Sequence, residues 1–395
     1  MQLLTEKKEI RSLAAIFSLF AIGIMAWIPR FPELKKNLDL SNGEFGTLVS
    51  TGSIGAITSL FLMGHIVHKF GAKKVLTANS LLLMAGYVSI IQTKSPLIFL
   101  ICNIGIGFGI SGFHIAVSAQ AFHSIERIPG IAMTRFHGFW AVGALITGLF
   151  SGLVVNHLSL VTHIGTCAVV CFSLVIFLLH RMTPVLLKPN ESPDTHLPIR
   201  SIFSSFRVDW VICSGLLCAS VLEYCTTDWV AIYAKEEIGV SAGMASIPYI
   251  TFMIAVIIGR LGAKKLEEKF SIVSIIRVLS ISSGLGFILF LLLASWFSSI
   301  HQMTAFIFTC LAFTCAGAGS SLMSPTFYTA ANNRSKLPSA VVVGHLGAVS
   351  NSLVFLSKAI VAWTAQLTGS LTTALLIPGV LMFSTAFFAR ATKND

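Results

Sequence analysis

Four charged side chains interrupt stretches of the sequence that are otherwise apolar: Arg30, Glu223, Asp228 and Lys358. A charge in hydrocarbon costs roughly 2.5–3.5 kcal/mol on insertion scales, so it calls for a partner, a wet cavity or a task. A carboxylate in such a place can take up and release a proton. A guanidinium or ammonium there can bind an anion or close an ion pair. Two positive and two negative groups at similar depth are placed to pair across the two halves of the chain. Arg30 and Lys358 can instead snorkel to headgroups, and Asp228 can lie at the interface. Glu223 is too short to snorkel and sits deep in its run, which makes it the candidate for proton uptake. Glu223 and Asp228 are five residues apart and do not share a helix face, so separate roles are expected.

Two polar stripes accompany these charges. One runs through Gly344, Ala348, Asn351, Phe355 and Lys358, the other through Asn103, Gly107, Ser111, His114 and Ser118. Steps of three and four put each set on one helix face, either as a cavity wall or as a seam for close packing. His114 and His137 titrate near neutrality and can relay protons, bind a solute or simply hydrogen-bond within the packing. The eight cysteines all lie within apolar runs and lack metal-finger spacing with histidine. There is no Ser-His-Asp order, no catalytic acid pair and no His-Glu-x-x-His helix. The three glycines at 105, 107 and 109 follow no strand, which argues against a dinucleotide site. No metal, cofactor or enzymatic activity is expected.

The elements that must position these residues are twelve apolar runs. They lie near 12–30, 44–66, 74–93, 96–122, 133–156 and 160–181, then near 208–233, 243–263, 271–294, 302–327, 338–364 and 370–389. Crossing a ~30 Å hydrocarbon core takes about 20 helical residues. The runs are continuous, without the period-2 alternation of a membrane barrel. The chain has 395 residues, 55% hydrophobic and 11% charged, a composition foreign to water-soluble domains. The first run continues into Trp27, Pro29 and Arg30 with no small-residue cleavage site, and reads as a retained helix. The fold class is therefore all-α membrane protein, with twelve transmembrane helices in two six-helix bundles. The expected domains are 1–182, a cytoplasmic linker 183–207 rich in proline and charge, and 208–395. A Trp–Ser echo supports duplication: Trp27 precedes Ser41 as Trp229 precedes Ser241, each serine placed as a helix N-cap.

A net charge of +11 invites a nucleic-acid reading, which the placement of the charges opposes. All but six of the 27 lysines and arginines fall on the side of the N-terminus. Arg30, Lys35, Lys36, Lys94 and Lys235 fall on the other side, and Lys358 within a run. Arg260, inside the run 243–263, is counted on the inner side with Lys264, Lys265, Lys269 and Arg277. By the positive-inside rule both termini are cytoplasmic.

The stretch Gly64-His-Ile-Val-His68-Lys69-Phe70-Gly71-Ala72-Lys73-Lys74 resembles the signature of the major facilitator superfamily between its second and third helices. His68 stands where the signature has aspartate, a departure that touches the usual gate interaction. Trp27 to Pro32, Met133 to Gly138, Glu223 to Trp229, and Gly259-Arg260 look like the bacterial YbjJ-type branch. The chain departs from that branch at His114, Ser118 and Ser357-Lys358. The resemblance implies a monomeric secondary transporter of the bacterial inner membrane, moving a small solute by alternating access with a proton or other coupling ion, in contact with membrane lipid. Glu223 is the proton-coupling candidate. Arg30, Asp228, Lys358, Asn103, His114, His137 and Asn351 are candidates for substrate or gate contacts. Gly64, His68, Lys69, Gly71, Lys73 and Lys74 form the cytoplasmic loop motif. Two cationic groups favour an organic anion or zwitterion as solute. A drug or sugar transporter of the same fold, or a non-transporting sensor, are the alternatives.

Overall fold

A computed structural model describes residues 2–128, 133–190, 209–335 and 339–393. Most of the expected linker, from 191 onward, lies outside the described residues. Among them the regular structure is helical, and eleven helical segments are long and apolar enough to cross a membrane.

The first run stops being a regular helix earlier than expected. α1 (Gln2–Met25) gives way to a 3-10 turn at Ile28–Arg30 and a short helix α2 (Phe31–Asn37). Pro29 lacks the N–H that a continued helix would need, and Pro32 suits the first turn of α2. α3 (Asn42–Ser50) opens on a capping box. The Ser41 N–H donates to Glu44 Oε2 at 2.9 Å, and Glu44 N–H donates back to Ser41 Oγ at 3.4 Å.

α3 and α4 (Gly52–Ile90) form one apolar segment of 49 residues. A straight helix of that length would span about 74 Å, more than twice the hydrocarbon thickness. It bends at Gly71, whose φ of 76° and ψ of 160° are not helical. A Cβ there would sit 3.0 Å from Leu187 O, and the left-handed φ is one that glycine tolerates. The chain after α7 (Leu160–Arg181) covers this bend: Ala72 N–H donates to Leu187 O and Asn190 N–H to His68 O.

α5 (Pro96–Arg127) and α6 (Met133–Val154) precede α7. The remaining helices are α8 (Trp210–Ile232), α9 (Ile247–Glu267), α10 (Ile272–Ser298), α11 (Gln302–Arg334), α12 (Ser339–Thr368) and α13 (Leu371–Phe388). Side-chain caps start several of them: Ser159, Asp209, Ser271, His301 and Ser370 each accept a first-turn N–H.

The chain forms two compact units. The first holds Met1–Trp27, Thr51–Thr147 and Leu158–Ser205. Its densest packing is α4 against α5, where the two backbones nearly touch: a Cβ on Gly55 would lie 1.9 Å from Ile104 O, and one on Gly107 1.9 Å from Gly52 O. At the other end of α5, buried Glu9 accepts from Arg127 and from Ser124 Oγ.

The second unit holds Ile28–Ser50, Gly148–His157 and Phe206–Asp395. The strap 28–50 therefore packs with helices far along the chain. α3 lies on α12, with Gly46 too close to Trp229 and Ala362 to admit a Cβ, and Trp363 Nε1 donates to Thr47 Oγ1 at 3.1 Å.

Candidate functional site

α8 carries both acids of interest. Asp209 caps its first turn by accepting from Val211 and Ile212 N–H, and small or apolar residues then fill most of its buried surface. Asp228 is neutralised: Lys358 Nζ on α12 lies 2.6 Å from its Oδ2, and the two side chains are only 12% and 10% exposed. Arg30 is fully buried and binds Glu33 twice, Nε to Oε1 at 2.6 Å and Nη2 to Oε2 at 2.7 Å.

These pairs correct the expectation that the four charges join across the two halves. Asp228 and Lys358 both belong to the second half, on helices that pack together. Arg30 takes a carboxylate one turn away, because the Pro29/Pro32 turn brings position 33 back beneath position 30. Glu33 escaped the sequence reading since it lies beyond the first apolar run.

Glu223 is left over. It is partly exposed and makes no hydrogen bond or ion pair among the described residues. Its electrostatic partner is Arg260, which does not come within ion-pair distance of it. Tyr249 lies within the same electrostatic range, and its buried hydroxyl has no partner among the described residues. Tyr224 and Tyr328 complete the ionisable surroundings.

Arg260 falls within the expected run 243–263 and among the charges expected on the inner side. It lies inside α9, within the apolar span Met244–Glu267. Its partner is on α11. Pro325 has no N–H to give to the carbonyl of Ser321, and an unpaired carbonyl in a membrane is costly. Arg260 Nε donates to that carbonyl at 3.4 Å. Pro325 inside an apolar run was the available sequence signal.

In the first unit His114 and His137 come together, ring centroids 5.7 Å apart, with His137 edge-on to Phe17. His114 is exposed. Asn103 faces α4 rather than open space: its Nδ2 donates to Thr51 Oγ1 at 3.1 Å, and it is buried. Asn351 donates to Gly347 O of its own helix. In the loop motif, Gly64 has open space around it, Lys69 lies over the Phe70 ring, Lys73 donates to Thr183 Oγ1, and Lys74 is exposed. A 350 Å³ groove beside Val88, Val161 and Val169 carries no ionisable group.

Long apolar helices that hold an ion pair and a carboxylate within their spans define a multi-pass membrane protein with costly charges in its interior. Residues 13–362 match the Major Facilitator Superfamily, and the chain belongs to that family. An uncharacterized MFS-type transporter of Yersinia pestis is 25% identical over 379 residues, covering 95% of this chain and 93% of that protein. An uncharacterized transporter of Sinorhizobium fredii is 24% identical over 288 residues, covering 71% and 74%. Among solved structures, a D-xylose-proton symporter aligns with a TM-score of 0.73 at 14% identity, covering 99% of both chains. The nucleoside transporter NupG aligns with a TM-score of 0.71 at 15% identity, covering 98% of both. At such identities the likeness is one of fold. The protein is a multi-pass secondary active transporter of MFS type, related to bacterial inner-membrane transporters.

Proposed function

We propose that the chain is a proton-coupled transporter of a small solute, working as a monomer by alternating access in a bacterial inner membrane. In this reading the segment Asn42–Ile90 crosses twice, about the Gly71 bend. That makes twelve crossings in two bundles, 1–182 and 208–395, joined by 183–207 with both termini cytoplasmic. The chain is assigned to the YbjJ-type branch on its Trp27–Pro32 and Glu223–Trp229 motifs.

The observation that carries the coupling is the contrast between two acids on one helix. Asp228 already has an ammonium at 2.6 Å, whereas Glu223 has no ion pair. Enclosing an unpaired carboxylate is costly, and a proton removes that cost. Glu223 therefore takes the proton, and Asp228 with Lys358 braces α8 against α12. A thermal-shift screen over a metabolite library identifies a solute for the test. In proteoliposomes under an imposed pH gradient, wild type accumulates that solute above its external concentration. Glu223→Gln only equilibrates it. Gradient-driven accumulation by Glu223→Gln equal to wild type would falsify the assignment.

With the termini inside, the strap 28–50 lies at the outer surface and serves as part of the outer gate. Lys35 Nζ binds Glu236 Oε2 at 2.7 Å and also reaches Asn42, tying the strap to the end of α8. Such a partly exposed pair is worth about 1 kcal/mol or less, enough to bias a gate without holding the fold. Lys35→Ala is expected to leave the melting temperature nearly unchanged. It should speed outside labelling of an Asn351→Cys probe by a membrane-impermeant maleimide, in a background cleared of native cysteines. Equal labelling rates with and without Lys35 would remove the strap from the gate.

A further inference from the structure

We infer that Arg260 is the anion-binding residue of the transport site, and that the solute carries a carboxylate taken up together with the proton on Glu223. This deepens the preceding reading by naming the solute class and its ligand. It starts from an account of the cations inside the spans. Arg30 is committed to Glu33 and Lys358 to Asp228. Those two residues had suggested an anionic solute, and their charges are already matched. Arg260 uses only Nε, on the Ser321 carbonyl, and its two terminal nitrogens have no partner among the described residues.

Arg260 is half-buried and lies on the less exposed side of α9. On α9 the exposed face runs through Ile254, Ile258 and Leu261, at 41%, 65% and 79% exposure. Tyr249, Phe252, Met253 and Val256 form the buried face. At 100° per residue Arg260 continues the buried stripe, one turn beyond Val256. The Ser321 carbonyl, which Pro325 leaves without its helical donor in α11, then accepts from the Nε edge of the guanidinium. Its Nη edge remains a planar fork, which matches the two oxygens of a carboxylate.

Charge counting supplies the coupling. With the site empty, Arg260 and ionised Glu223 sum to zero. With a carboxylate on Arg260 and a proton on Glu223 the sum is again zero. A carboxylate without the proton leaves one net negative charge, and a proton without the carboxylate leaves one net positive charge. Both unbalanced states carry the cost of a net charge in a low-dielectric span. The other groups facing Glu223 do not change this count. Asp228 and Lys358 cancel, Arg30 and Glu33 on the strap cancel, and Tyr224, Tyr249 and Tyr328 are neutral phenols. The geometry thus selects symport of one proton per carboxylate.

The test uses the purified full chain in phosphatidylcholine nanodiscs, with a broad panel of carboxylates, each paired with its neutral amide (benzoate with benzamide, lactate with lactamide and so on). Wild type is expected to be stabilised against heat by one or more carboxylates and not by the matching amides. Losing charge-assisted hydrogen bonds worth about 1.5–3 kcal/mol lowers affinity by about 10- to 150-fold, so Arg260→Ala should lose the shift. Arg260→Lys keeps the charge without the fork and should weaken it, and serves as the folded control if the alanine variant fails to fold. Glu223→Gln should keep carboxylate binding and lose its pH dependence. Amide shifts equal to carboxylate shifts, no carboxylate shift at all, or binding that survives in both Arg260 variants would overturn the inference. So would abolition of the shift by added phosphatidylglycerol, which would assign the fork to a lipid headgroup. A Glu223→Gln variant that still accumulates solute would remove the proton assignment and leave the carboxylate site standing.

Discussion

Lys358→Ala should destabilise the folded protein by about 3–5 kcal/mol, the usual penalty for removing one partner of a buried ion pair. The penalty arises from what stays behind. Asp228 would keep its position on α8, 12% exposed, with its ammonium gone. Its neighbours offer little relief, since Cys225 and Trp229 on either side are buried and do not carry a positive charge. Asp228→Asn should cost a similar amount by stranding Lys358. The double variant Lys358→Met with Asp228→Leu should recover most of the loss, because two apolar side chains of similar volume need no desolvation. Unfolding in bicelles of wild type, Lys358→Met, Asp228→Leu and their double variant completes the cycle. A coupling energy near zero, with the two single losses simply adding, would mean that the pair does not act as a unit.

Gly55→Ala and Gly107→Ala form the second large prediction. Each added methyl group would enter the backbone of the opposite helix, at 1.9 Å from a carbonyl oxygen, where real Cβ contacts essentially never fall below 3.0 Å. No side-chain rotation can relieve such a clash, so α4 and α5 must part by an ångström or more. Parting would also break the Asn103–Thr51 hydrogen bond beside the contact. Membrane helices have little hydrophobic drive to associate and depend on close van der Waals packing of this kind. A loss of about 3 kcal/mol or more is expected for each variant, at the upper end of overpacking penalties. Gly64→Ala and Gly138→Ala are the controls: nothing lies within 4 Å of either added methyl, and helix propensity then favours alanine by up to about 1 kcal/mol. Melting temperatures of the four variants in one lipid decide the matter. Equal behaviour at all four sites would rule out the α4–α5 seam as a close contact.

Helix positions and membrane class were legible from the residues alone, because a span is decided by its own composition. Each run must hide its backbone polar groups internally, whatever its neighbours are. The loop motif around Gly71 was legible for a similar reason: one left-handed residue makes the bend. Glu223 was singled out by its depth and short side chain, again local properties. The Ser41 cap was legible too, since a cap involves only the first turn, whereas Ser241 precedes a 3-10 turn and α9 starts after Ser246.

Pairing was not legible, because it depends on which helices become neighbours. Sequence distance gave no sign that Lys358 would reach Asp228, 130 positions earlier, or that the strap after α1 would join the second unit. The polar stripe on α5 could equally have been cavity wall or packing seam. Asn103 and Gly107 took the seam, because Gly52 and Gly55 face them. Arg260 shows the difference most plainly. Its place near the end of a run assigned it to the inner side and to no partner. Its contact with the Ser321 carbonyl, which Pro325 leaves without a helical donor on a different helix, exists only in the folded chain. The sequence by itself thus determined the all-helical membrane class and which charges would be expensive. Tertiary structure decided which of those charges are neutralised and which remain open, because electrostatic cost is local to a residue whereas its compensation is a matter of distance in space.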